Sequence, residues 1–273
     1  MTLSFSFVAP ENANKRAVIL FHGLTGTPFE LKKYGKFLSN NGFDVFADCL
    51  PGHGDFADDI YTVKFEEWIE FAGKRFEEIS QKYEEVYLGG ICLGAVLSLA
   101  VAEKFGARVK GVAAFSTTLF LDGWRLPWYS FLMPFGLNTV FRYYYTYPEC
   151  EPYGIKNVRT RNIIKGLIEK SDVSLDNFPM CAIYELLRLS GEVRENLAKI
   201  EVPLLVVHSR EDDLTSPKSA YCAYENVSSK DKELVILEDS YHMVLYDNEK
   251  EFVYEKSLQF FERLSGVRKE VPA

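Results

Sequence analysis

The chain has 273 residues, 47% of them hydrophobic, enough for one large core or a core with an inserted lid, which excludes a disordered protein. Lysine and arginine total 31 against 39 acidic residues, a net charge of −8, so no global basic field exists to hold nucleic acid. Residues Met1 to Lys15 lack a basic flank followed by an apolar run, and no 18-residue uncharged stretch follows, so the expectation is a cytoplasmic protein without stable membrane binding.

Leu3 to Val8 alternates weakly, as an edge strand would, whereas Ala17-Val18-Ile19-Leu20-Phe21 is a continuous apolar run suited to a parallel strand covered on both faces. His22-Gly23-Leu24-Thr25-Gly26 closes that strand. Thr27, Pro28 and Glu30 then read as an N-cap, a first-turn proline and a capping-box glutamate, opening a helix that Gly42 stops. Asp44 to Asp48 forms the next strand, with Pro51-Gly52-His53-Gly54 as the loop at its end. Phe65, Trp68, Ile69, Ala72, Phe76 and Ile79 mark an amphipathic helix leading into a short strand, Glu85 to Ile91.

That strand runs directly into a helix through Gly90-Ile91-Cys92-Leu93-Gly94. Glycines two residues before and after Cys92 leave room for a side chain pushed out on a tight strand-to-helix turn. The helix beginning at Leu93 offers unpaired backbone N–H groups, which favour a thiolate at 92 and can bind an oxyanion beside it. No Lys-Ser/Thr pair follows and Gly89, Gly90 and Gly94 miss the dinucleotide spacing, both of which argue against a phosphate cradle.

After a strand at Val109 to Phe115 the alternation breaks. Eleven aromatics fall between Phe120 and Tyr147, with helical segments around Ile163 to Ile168 and Ile183 to Leu189. The reading is a mainly helical cap over residues 119–196 inserted into a core of residues 1–118 and 197–273, the aromatics forming the cap's own core, lining a pocket or touching a surface. Trp124, Trp128 and Phe131 are the candidate substrate contacts. The strand pattern resumes at Leu204 to Val207, followed by His208-Ser209-Arg210-Glu211-Asp212-Asp213. Leu234 to Leu237 is the last strand, followed by Asp239-Ser240-Tyr241-His242 and a terminal amphipathic helix. Alternating strands and helices predict an α/β fold with a mostly parallel sheet, and every polar cluster falls at a strand's carboxyl end, where such sheets bind ligands.

The five cysteines are odd in number, widely spaced and without a C-x-x-C pair, against both a disulfide framework and a zinc site. A nucleophilic Cys92 needs a base, and of four histidines His242 is the candidate: His53 lies in a glycine loop, His208 suits packing, and His22 precedes a turn whose backbone is the useful part. A G-x-C-x-G elbow, an acid after a later strand and a histidine after the last strand stand in nucleophile, acid, base order.

That order, with the His22 to Gly26, Pro51 to Gly54, Gly90 to Gly94, Leu197 to Pro203, Arg210 to Pro217 and Ser240 to His242 stretches, resembles the α/β-hydrolase superfamily and its carboxylesterase and monoacylglycerol lipase branch. The resemblance implies Cys92 as nucleophile, His242 as base, Asp212 as the acid orienting it, and the Leu24 and Leu93 N–H groups as oxyanion hole. Asp213, adjacent, is chemically as capable as Asp212. The departure is cysteine where most of the family has serine; dienelactone hydrolases and polyester synthases share it.

A thiolate attacks acyl carbonyls readily but leaves a tetrahedral intermediate more easily than an alkoxide, so thioesters and esters of acidic alcohols are favoured. The expected function is hydrolysis of a small acyl ester or thioester of modest hydrophobicity, with no metal and no cofactor. Acyl transfer by the same cysteine and a ligand-binding homologue without turnover are the alternatives.

Overall fold

The computed structural model describes residues 3–10, 15–128, 130, 133–168 and 177–266. Seven strands form the main sheet: β1 (Phe5–Phe7), β2 (Arg16–Phe21), β3 (Asp44–Ala47), β4 (Glu85–Ile91), β5 (Val112–Phe115), β8 (Leu204–Ser209) and β9 (Lys232–Leu237), in the order β1-β3-β2-β4-β5-β8-β9. All neighbours are parallel except β1, which runs antiparallel to β3 at the edge. The two remaining strands, β6 (Thr146–Pro148) and β7 (Asn177–Pro179), pair antiparallel in a separate ribbon.

Strand β2 shows why its sequence is apolar without alternation. Ala17, Ile19 and Phe21 point into one buried cluster while Val18 and Leu20 point into another. The first face is covered by α2 (Phe65–Ser80), α3 (Leu93–Phe105), α6 (Met180–Asn196) and α7 (Lys218–Asn226); the second by α1 (Lys32–Asn40) and α8 (Lys250–Leu264). Helix α3 is buried on every side from Leu93 to Ala102, so it has no polar face to conserve solvent contact. Helix α6, which falls within the predicted cap of residues 119–196, lies in the same layer through Ile183, Leu186, Leu189 and Val193. Two short helices, α4 (Met133–Leu137) and α5 (Val158–Ile168), precede it.

The chain passes from β2 outward to β3 and then crosses back to β4, so strand order reverses between β2 and β4. The helices after these strands lie on opposite faces, α1 on one and α3 on the other. Loops diverging in this way open a crevice at the carboxyl ends of the strands. Leu24 and Cys92 leave β2 and β4 at that crevice. Among the described residues no helix is long and apolar enough to cross a membrane.

Candidate active site

Cys92 sits between the last residue of β4 and the first of α3 with φ 57° and ψ −115°. A non-glycine residue in that region costs on the order of 1–3 kcal/mol and persists only where its surroundings enforce it. Here they do: its N–H donates to the Phe115 carbonyl at 3.0 Å, and its own carbonyl accepts the Ala95 and Val96 N–H groups at 3.1 and 3.3 Å. Gly94 is required by close approach, since a Cβ there would collide with the Phe21 carbonyl of β2. The helix start is thereby pressed against the neighbouring strand and the sulfur is turned outward.

His242 lies in the loop after β9. Its Nδ1 meets both Asp212 oxygens, at 2.8 and 3.0 Å, while Asp212 Oδ1 also accepts the Leu214 and Thr215 N–H groups at 2.9 Å each. Asp213 turns elsewhere. One of its oxygens accepts the His242 backbone N–H at 3.4 Å and the other lies 3.6 Å from the Arg125 guanidinium. The geometry thus puts Asp212, not Asp213, on the imidazole. His242 Nε2 is buried, has no well-aligned hydrogen-bond partner among the described residues, and shares a cavity with Cys92, whose sulfur is near enough to interact with the ring.

The two groups bias each other's protons. Burial pushes the Cys92 thiol up, but the His242 charge and hydrogen bond, then hydrogen bonds from Thr118 and the Leu93 N–H, outweigh it and hold the thiol below its ordinary value. Burial opposes a charged His242 too, but Asp212 and the sulfur overcome it and hold the imidazolium well above the usual histidine range. Asp212, despite its own burial penalty, is held low by His242. The arrangement favours thiolate and imidazolium together.

The turn after β2 is tied down on several sides. His22 Nε2 accepts the Leu50 N–H at 3.0 Å, which leaves Nδ1 to donate to the Gly23 carbonyl at 2.9 Å. Burial, then the neighbouring His53, push its pKa down to about 3, so it is a neutral brace. Thr25 adopts a positive φ of 64° and its hydroxyl donates to the Leu24 carbonyl. Glu30 does not complete a capping box, contrary to its sequence pattern. The Thr27 side chain makes no cap bond and the segment Pro28–Leu31 is a 3-10 turn. The Glu30 carboxylate instead reaches back and accepts the Gly23 N–H at 3.1 Å, lying so close over Gly26 that any Cβ there would overlap it. Burial lifts Glu30 to about 7; the Gly23 bond and His242 pull it down, and Glu149 pushes it further up.

Two cavities meet at the sulfur, since Cys92 and Leu24 line both. The larger, about 420 Å³, also contains His242, Glu30, Arg125 and Tyr153; the smaller, about 240 Å³, is walled by residues such as Leu121, Leu126, Met133, Met180 and Ile183. Trp124 and Trp128 do not belong to either lining. Trp124 donates its indole N–H to the Glu211 carbonyl and packs edge-on against Tyr241 on the outside, and Trp128 is 85% exposed. Phe131 lies outside the described residues. Phe135, Phe141 and Tyr144 of the aromatic stretch are also exposed, whereas Tyr145 and Tyr147 join the neighbouring aliphatic residues in lining the smaller cavity.

Three residues missed in the sequence, Thr118, Ser116 and Asp247, and His208, read there as packing, hold the site together. Thr118, fully buried after β5, donates to Cys92 Sγ at 3.3 Å. His208 sits 3.5 Å from Asp212 and donates Nε2–H to the Thr215 carbonyl. Ser116 donates its hydroxyl to the His242 carbonyl at 2.5 Å. Asp247 accepts the N–H groups of Lys156, Asn157, Tyr241 and Asn248 at 2.7–2.9 Å, clasping the Lys156-Asn157 segment to the His242 loop.

A parallel sheet with this strand order, a strained elbow after β4 and an acid–histidine pair from the loops after β8 and β9 define an α/β-hydrolase. Residues 12–250 match the family described as serine aminopeptidase, S33, and the chain belongs to that family. It is 24% identical over 257 residues to a thermostable monoacylglycerol lipase of Bacillus sp. (strain H-257), covering 91% of each chain. It is 26% identical over 250 residues to a carboxylesterase of Bacillus subtilis (strain 168), covering 91% of this chain and 93% of the relative. The crystal structure of Paleococcus ferrophilus monoacylglycerol lipase superposes with a TM-score of 0.77 at 20% identity, over 97% of this chain and 99% of that one.

Proposed function

We propose that the protein hydrolyses carboxylic esters or thioesters of a modestly hydrophobic acyl group through an acyl-thioester on Cys92. The observation that carries this reading is the buried series of Asp212 on His242 Nδ1 with the imidazole in the same cavity as the elbow sulfur. The two Bacillus relatives, a lipase and an esterase by name, support the same chemistry.

The thiolate attacks the carbonyl carbon, forming the C–S bond and moving the C=O electron pair onto oxygen. The Leu24 and Leu93 N–H groups receive that oxyanion. His242, oriented by Asp212, delivers its Nε2 proton to the departing oxygen or sulfur as its bond to carbon breaks. Water then attacks the thioester, His242 takes its proton, and the C–S electron pair returns to Cys92. His242 lines only the larger cavity, so the leaving group belongs there and the acyl chain in the smaller, apolar one. Residues 119–196 serve as the cap that supplies much of the acyl wall.

Intact-protein mass spectrometry after mixing with p-nitrophenyl acyl esters and acyl thioesters of increasing length tests this directly. The expected result is turnover with a transient adduct of acyl mass on the Cys92 peptide, strongest for medium-length chains. Turnover with no adduct at Cys92, or no turnover at all, rejects the reading.

Glu30 contributes a pH dependence. Above about 7 it is a carboxylate and a strong acceptor for the Gly23 N–H; below, protonation weakens that bond and loosens the turn carrying the Leu24 N–H. Activity (kcat/KM) is expected to rise through pH 7 in the wild type. Glu30→Gln flattens that limb and lowers the high-pH plateau by roughly three- to tenfold, the loss of one charge-assisted bond.

A further inference from the structure

Strands β4 and β5 are adjacent and parallel, with Ile91 level with Phe115, so the residues just beyond β5 come to lie beside Cys92. Thr118 is the one whose side chain reaches the sulfur. Its Oγ1 lies 3.3 Å from Cys92 Sγ and 3.2 Å from the Ser116 carbonyl oxygen. One hydroxyl proton cannot serve both acceptors at once. The main chain under it is fixed, because Ser190 of α6 donates to the Thr118 carbonyl at 2.7 Å, so only rotation of the hydroxyl decides which acceptor is used.

We propose that Thr118 is a further catalytic residue, a two-position hydrogen-bond donor that sits on the Cys92 sulfur when it is a thiolate and turns to the Ser116 carbonyl when the sulfur is acylated. This rests on the Cys92 acyl-enzyme reading. A thiolate is a charged acceptor and outcompetes a neutral carbonyl, whereas a thioester sulfur carries no charge and accepts poorly. The donor therefore stabilises the free thiolate relative to the acyl-enzyme. In deacylation the C–S bond breaks with its electron pair moving to sulfur, and the Thr118 hydroxyl turns back to meet the charge as it forms. The resting thiolate thus has a second partner besides His242.

The other titratable groups around the sulfur are His242 from the loop after β9 and, beyond the Gly23 turn, Glu30; Arg125, Glu149, Tyr153 and Tyr246 lie elsewhere around the larger cavity, and Tyr145 and Tyr147 around the smaller. None of them changes in a Thr118 variant. The test measures iodoacetamide alkylation of the Cys92 peptide against pH for the wild type and for Thr118→Val, Thr118→Ala and Thr118→Ser, alongside the acylated fraction during steady-state turnover of a p-nitrophenyl ester.

Val and Ala, one filling the site and the other leaving space, should both raise the alkylation midpoint by about one pH unit or more, the size expected for losing a hydrogen bond to a charged sulfur. Ser should keep the midpoint near the wild-type value. Val and Ala should also accumulate acyl-enzyme during turnover. A midpoint unmoved by both Val and Ala overturns the proposal, and so does a raised midpoint without acyl accumulation. Failure of the underlying reading looks different: Cys92 is alkylated normally, yet no variant, the wild type included, shows an acyl adduct.

Discussion

Replacing Asp212 with Asn will lower kcat on an acyl ester by about 10,000-fold and leave the fold intact, while Asp213→Asn will cost less than about tenfold. The difference follows from which oxygen does what. Asp212 Oδ1 accepts two backbone N–H groups, from Leu214 and Thr215, and Oδ2 faces His242 Nδ1 at 2.8 Å. An asparagine keeps those two backbone donors only by putting its amide oxygen at the Oδ1 position. Its NH2 group then points at His242 Nδ1 and forces that nitrogen to be the acceptor. The ring proton moves to Nε2, so the uncharged ring can no longer accept a proton from the thiol or from the attacking water.

Asp213 has no contact with the ring nitrogens; it holds the His242 backbone N–H and Arg125. Its replacement loosens a support without changing a tautomer. Steady-state kinetics of both variants on one p-nitrophenyl ester, with circular dichroism to verify folding, separates the two. Equal losses would show that the pair acts as a single charge and that the tautomer argument is wrong.

Cys92 carries the second large effect, in two forms. Cys92→Ala should remove the acyl adduct and reduce turnover by at least about 10,000-fold, leaving only what binding and oxyanion stabilisation provide. Cys92→Ser should change preference as well as rate. By the proposed mechanism, the wild-type intermediate from an alkyl ester expels thiolate in preference to alkoxide and returns to substrate, whereas a thioester intermediate carries two comparable leaving groups. With serine the internal leaving group becomes an alkoxide and the alkyl ester loses that handicap. The ratio of kcat/KM for an alkyl ester to that for the matching thioester should therefore rise at least tenfold. An unchanged ratio would mean that collapse of the intermediate does not control selectivity.

Much of this site was readable along the chain because the sheet converts sequence order into place. A residue shortly after a parallel strand must emerge at one edge, and Cys92, Asp212 and His242 lie one, three and five residues beyond β4, β8 and β9, so they come to one edge although they are far apart in the polypeptide. Lateral neighbours follow no such rule. Thr118 is one of two consecutive threonines, and its contact with the sulfur depends on β5 lying beside β4, which strand order alone reveals. Glu30 matched the spacing of a capping box, but the positive φ at Thr25 and the bare Gly26 bend the turn so that the carboxylate meets Gly23 instead. Trp124 and Trp128 show a different limit. Aromatic density says that a segment is rich in apolar area, and not which way each ring faces; Leu126 and Met133 point inward where the two indoles do not.

The forked floor plan around the sulfur also dictates an order of traffic. On the proposed reading, an alcohol released into the wide arm departs while its former partner stays anchored in the narrow one, so the next reactant arrives by the route just vacated. Water and a second alcohol would then compete for one doorway, and the balance between breakdown and exchange is set by whichever fills it, with the anchored half indifferent to the choice.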